Sequence, residues 1–119
     1  FYWTQILFNL VENALKQNPD RTLKIHINAD IDKDDNFKIQ ISDNGVGIPI
    51  NDLPFIFKRF YRVEKHHSQS QIKGTGLGLS IVKRAVEAHG GTITATSLPT
   101  IETIFTIIVP QANKNIDDD

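Results

Sequence analysis

Leu23-Lys24-Ile25-His26-Ile27-Asn28-Ala29-Asp30-Ile31, then Asp32-Lys33-Asp34-Asp35-Asn36, then Phe37-Lys38-Ile39-Gln40-Ile41-Ser42-Asp43 is the stretch that decides the fold. Leu23, Ile25, Ile27, Ala29 and Ile31 alternate with charged and polar residues, and after the polar turn the alternation resumes at Phe37, Ile39 and Ile41. Period-two patterning on both sides of a short polar turn predicts an antiparallel hairpin with one buried face.

The flanking segments switch period. Upstream, Trp3, Ile6, Leu7, Leu10, Val11 and Ala14 recur at helical spacing until Asn18-Pro19 ends the pattern. Downstream, a short helical segment is expected near Asn51 to Phe55, followed by a Phe/Arg cluster from Phe57 to Arg62 and a polar loop, Glu64 to Lys73, with the character of a lid. Leu77, Ile81, Val82, Ala85, Val86 and Ala88 predict a second long helix stopped by Gly90-Gly91. Two further strands, Thr92 to Ser97 and about Thr103 to Val109, are closed by Pro110. Helices interleaved with hairpins predict an α+β two-layer sandwich, a mixed sheet covered on one face by helices.

The chain of 119 residues, 39% hydrophobic, is long enough for one core and short for two. Residues 1–110 read as one domain and 111–119 as a polar, acidic, frayed tail. A formal net charge of -1 argues against a general electrostatic grip on nucleic acid or acidic membrane. The absence of cysteine excludes disulfides, thiolate metal sites and a Cys nucleophile. No apolar run approaches the roughly 20 residues that span a bilayer, which predicts a soluble chain. Phe1-Tyr2-Trp3 is already amphipathic with no capping residue ahead of it, so the expectation is a piece of a longer chain.

Three motifs carry candidate chemistry. Asn9, Asn13 and Lys16 share one face of the first helix, where a carboxamide oxygen suits Mg²⁺ and an ammonium suits phosphate. The bland alternative is that Lys16 merely pairs with Glu12. Asp43-Asn44-Gly45-Val46-Gly47-Ile48 follows the second strand. Its carboxylate can accept from the exocyclic amine of adenine, and its glycines admit close backbone approach or positive φ; an ordinary Asp-Asn-Gly turn is the competing explanation. Gly74-Thr75-Gly76-Leu77-Gly78-Leu79-Ser80 leads into the second helix, so amides at its start can face phosphate oxygens, or the glycines serve only as a hinge. Its spacing is neither a P-loop nor a dinucleotide fingerprint. Arg59 and Arg62 lie among Phe57, Phe60 and Tyr61, aromatics assigned to the core, while His26, His66, His67 and His89 are read as structural or solvated.

In this order, these residues resemble the catalytic and ATP-binding domain of bacterial sensor histidine kinases, within the wider Bergerat-fold ATPases. The likeness runs from about Gln5 to Pro110. Asn9 to Lys16 match the N box, Asp43 to Ile48 the first Gly box, Phe57-Lys58-Arg59-Phe60-Tyr61-Arg62 the F box and Gly74 to Ser80 the second Gly box. It continues through Ile81-Val82-Lys83 and Ala88-His89-Gly90-Gly91.

The resemblance implies a Bergerat fold that binds ATP and Mg²⁺. Asn13 is then the metal ligand, with Asn9, Lys16 and Arg62 in catalysis. The nucleotide contacts it implies are Asn13, Lys16, Asp43, Gly45, Gly47, Ile48, Arg59, Arg62, Gly74, Thr75, Gly76, Leu77, Gly78 and Thr103. It further implies a dimerisation and phosphoacceptor domain and a response regulator as partners, and a cytoplasmic position in a membrane-anchored parent. No histidine here lies in the context of the family's phosphoacceptor helix, so the chain is expected not to phosphorylate itself. Two positions depart from the pattern: Gln17 stands where an aromatic usually covers adenine, and Thr100 and Glu102 stand where glycine is usual in a last glycine box. They keep open a second class of function, a nucleotide-binding or partner-docking module without kinase output.

Overall fold

The computed structural model describes residues 2–20, 22–61, 78–98 and 100–111. In chain order its elements are α1 (Tyr2–Gln17), β1 (Ile25–Ile31), β2 (Asn36–Asp43), a 3-10 turn (Leu53–Phe55), α2 (Gly78–Ala88), β3 (Thr92–Leu98) and β4 (Glu102–Pro110). Every expected element within these residues is present, with ends displaced by a residue or two. The expected lid, Glu64 to Lys73, and the tail from 112 onward lie outside the described residues.

The four strands lie in the order β1-β2-β4-β3, and all three pairings are antiparallel. The α+β two-layer architecture is as expected, but the parallel pairing of a mixed sheet is absent among the described strands. β2 and β3, joined through α2, do run in the same direction; β4 inserts between them and pairs antiparallel with each.

Register places one residue set under the helices. Ile41 faces Phe105, Ile39 faces Ile107, and Ile107 faces Ile93. These pack with Ile6 and Leu10 of α1, Val82 and Val86 of α2, and Ile56. The fully enclosed members, Ile6, Leu10, Val82, Val86 and Ile107, each contribute about 1.5–3 kcal/mol by burial. β1 departs from its pattern: only Ile25 is half-buried, while Ile27 and Ile31 remain 48% exposed. The helices cover the sheet from β3 to β2 and stop short of that edge.

Local chemistry sets the element ends. In the β1–β2 turn, Asp32 Oδ1 accepts the amides of Asp34 and Asn36, both at 2.9 Å, and Asp35 takes φ 65°. α2 ends in a Schellman motif: Gly90 adopts φ 79°, and Gly91 N–H donates to Val86 O at 3.0 Å. A Cβ on Gly91 would lie 2.6 Å from Ile108 O, so the second glycine also admits β4.

Candidate nucleotide site

The site is assembled where α1 ends beside the C-terminal end of β2. Along α1, Asn9, Asn13 and Lys16 are all half-buried. Asn9 lines a groove of about 210 Å³ between the helices, together with Gln5, Ile6, Ile81, Val82 and Ala85. No hydrogen bond joins the Asn13 carboxamide to another described residue. Lys16 Nζ lies 3.6 Å from Glu12 Oε1, the helical pairing foreseen as the bland alternative. Such an exposed pair contributes well under 1 kcal/mol, so an arriving phosphate can displace it.

Asp43, the last residue of β2, is 9% exposed and faces Thr103, which is 4% exposed. Asp43 Oδ1 accepts the Gly45 amide at 2.8 Å, which turns the chain and leaves Oδ2 as the oxygen available to a ligand amine. The two glycines of the turn have different physical reasons. Gly47 takes φ 82°, whereas a Cβ on Gly45 would lie 2.5 Å from Asn18 Nδ2 and 2.8 Å from Asp43 Oδ1.

Four neighbouring segments hold this turn. Asn18 Oδ1 accepts the Val46 amide at 2.9 Å, and Ser97 Oγ accepts the Ile48 amide at 2.8 Å. Val46 O accepts from the Thr100 amide at 2.9 Å, and Asn44 Oδ1 accepts from the Lys24 amide at 2.9 Å. Ser97 Oγ also lies 3.3 Å from Thr103 Oγ1, which connects the turn to the buried threonine beneath Asp43. Asn18 and Ser97 were not foreseen as site residues. Asn18 was visible only as a helix stop and Ser97 only as a strand end, and no local pattern shows which loop a buried amide or hydroxyl will meet.

The segment after the 3-10 turn is only partly core. Phe57 packs edge-on to Phe105, with centroids 6.1 Å apart. Phe60, expected in the core, is 60% exposed at φ 65°, with Arg59 Cζ 5.2 Å from its ring. The Asp52 carboxylate accepts a short hydrogen bond from Tyr61 OH, closing the segment on itself. That bond holds the Tyr61 phenol above its ordinary pKa, because it stabilises the protonated hydroxyl.

Asp43, Gly45, Gly47, Ile48 and Thr103 therefore gather at one place, and α1 joins them through Asn18. Arg59 is stacked on its neighbour instead. Gly78 opens α2, and among the described residues no atom lies within 4 Å of where its Cβ would stand. Arg62, Gly74, Thr75, Gly76 and Leu77, with His66 and His67, lie outside the described residues.

Residues 2–113 match the model of the family described as Histidine kinase-, DNA gyrase B-, and HSP90-like ATPase. The chain is 40% identical over 118 residues to Sensor histidine kinase WalK of Bacillus subtilis (strain 168), covering 97% of this chain and 19% of that protein. It is 42% identical over 108 residues to Sensor protein kinase WalK of Staphylococcus aureus, covering 90% of this chain and 26% of that one. It thus spans about a fifth to a quarter of the length of these relatives. Among solved structures, the mycobacterial sensor histidine kinase MprB superposes with a TM-score of 0.75 at 28% identity, over 89% of this chain and 70% of that one. Full-length ShkA in complex with AMPPNP gives 0.72 at 26% identity, over 89% and 20%. Box order, sheet topology and these likenesses agree: the chain belongs to the Histidine kinase-, DNA gyrase B-, and HSP90-like ATPase family, and the relatives named above are sensor histidine kinases.

Proposed function

We propose that this domain binds Mg-ATP and presents the γ-phosphate to a histidine on a separate helical dimerisation domain of its parent, which passes it on to a response regulator. The observation that carries this is the buried Asp43 beside Gly45 and Thr103. One carboxylate oxygen is tied to the turn, and the other is left to accept the adenine amine. An acceptor there repels the corresponding oxygen of guanine, so the site favours adenine.

Among the described residues, no three His, Cys, Asp or Glu side chains gather to hold a metal by themselves. The donor set fits a hard cation that keeps waters and phosphate oxygens and takes the Asn13 carboxamide oxygen as its protein ligand. Mg²⁺ would supply charge neutralisation on the triphosphate. Lys16 turns from Glu12 to phosphate, Asn9 lies one helical turn before Asn13, and Arg62 with the Gly74 to Gly78 amides is assigned to the terminal phosphates. Arg59, Gly47 and Ile48 border the nucleotide. Positioning and charge neutralisation supply most of phosphoryl-transfer catalysis, and these are the roles assigned to the residues here. His89 is engaged by Ala85 O at 2.8 Å and by Trp3, centroids 5.6 Å apart, and the acceptor imidazole is assigned to the parent's dimerisation domain.

The test is titration with ATP and magnesium. Saturation below millimolar nucleotide is expected, with affinity reduced about tenfold or more by Asp43→Ala and by Asn13→Ala. No saturable signal would refute the proposal. Nucleotide binding without labelled phosphohistidine, when the parent's dimerisation domain is added, would instead favour a docking module without kinase output.

A further inference from the structure

Asn18 is 7% exposed and lies immediately after α1. Its Nδ2 donates to Ala14 O at 2.8 Å, and its Oδ1 accepts the Val46 amide at 2.9 Å. One planar group thus satisfies a carbonyl at the end of α1 and an amide of the Asp43–Ile48 turn, orphans that would otherwise be buried at a cost. The contact is close, because a Cβ on Gly45 would lie 2.5 Å from Asn18 Nδ2. The same hypothetical atom lies 2.8 Å from Asp43 Oδ1, so Asn18, Gly45 and Asp43 meet at a single point.

We propose that Asn18 is a positioning residue for base recognition, fixing the Asp43 turn against the helix that carries Asn9, Asn13 and Lys16; this rests on the ATP reading given above. The position needs a donor and an acceptor on one rigid fork, which among short side chains only a carboxamide offers. An aspartate keeps the shape but turns an acceptor oxygen toward Ala14 O and adds a charge beside Asp43. A threonine keeps an acceptor for Val46 and gives up the planar fork. Displacing the turn moves the Asp43 carboxylate, which an adenine amine uses and guanine does not. Loss of Asn18 therefore acts on base choice, whereas a purely architectural residue would weaken every nucleotide alike.

The test uses the 119-residue chain and its Asn18→Asp and Asn18→Thr variants, at a temperature where circular dichroism shows each folded. ATP and GTP are titrated separately with magnesium, and exchange of the Val46 amide is followed by NMR. The expected result is about a tenfold loss of ATP affinity in Asn18→Asp with GTP affinity little changed, and a smaller loss in Asn18→Thr. Faster Val46 exchange should accompany it while the Ile107 amide stays protected. If the wild type binds ATP but both folded variants keep its ATP-to-GTP ratio, or lose both nucleotides equally, the role of Asn18 is overturned while the ATP reading stands. If the wild type binds no ATP, the ATP reading itself fails. Should Asn18→Asp not fold, the Asn18→Thr ratio decides alone.

Discussion

At the residue scale, Thr100 turns a departure from the family pattern into a measurable quantity. It stands where the family resemblance leads one to expect glycine, and it adopts φ 66°, a left-handed conformation that a β-branched residue enters at a cost. Its amide nevertheless donates to Val46 O at 2.9 Å, so the turn keeps the glycine-type path and bears the strain. Thr100→Gly relieves that strain, partly offset by the greater freedom of glycine in the unfolded chain. The expected outcome is a stabilisation of about 1 kcal/mol, seen as a higher urea midpoint at unchanged slope. A lower midpoint would mean that the threonine side chain contributes more than its backbone costs. Gly45 is the opposite case, because its backbone is ordinary and its missing side chain is what admits Asn18.

At the element scale, the β1–β2 hairpin depends on one half-buried carboxylate, Asp32. The Asn36 amide, foremost, and the Asp34 amide hold Asp32 below its ordinary pKa of 3.8, since both bonds favour the ionised form. A depressed folded-state pKa means that the contribution is complete above 3.8 and is lost as pH falls through the lower folded value. Asp32→Ala should therefore be less stable than wild type at neutral pH, and the gap should close below pH 3.8. Urea midpoints at a series of pH values check this. A gap that stays constant down to the most acidic point would assign the effect to turn propensity alone. The same turn is held from the other side by Gln111, whose Nε2 donates to Asp35 O at 2.7 Å, so β4 and the hairpin tip are secured together.

At the scale of the whole molecule, stability is distributed unevenly along strands that look alike in sequence. Ile107 is completely buried, whereas Ile31 is 48% exposed at the uncovered edge. Ile107→Ala should cost about 2–5 kcal/mol and Ile31→Ala under about 0.5 kcal/mol, measured by urea unfolding. Equal losses would mean that the edge strand packs as tightly as the centre. The alternation of β1 and β2 and the helical spacing of Ile6, Leu10, Val82 and Val86 made the elements legible, because period reports which face is apolar. It did not report coverage, so β1 carries the pattern of a buried strand without the burial. It did not report strand order either, and the expected parallel pairing was lost to β4, whose position depends on the full sheet. Asp43 and Gly47 could be named from the sequence because their chemistry is local, a carboxylate at a strand end and a glycine free to take positive φ, whereas Thr103 was named only through the family resemblance. Asn18 and Ser97 could not, because each acquires its role from a backbone amide 28 or 49 residues away. The sequence by itself determined the elements, the family and the kinds of group at the site, since periodicity, turn chemistry and motif order are properties of neighbouring residues. Only the tertiary structure decided how α1 is joined to the Asp43 turn and which apolar face stays open, because hydrogen bonds between distant segments and the reach of the helices over the sheet exist only after packing.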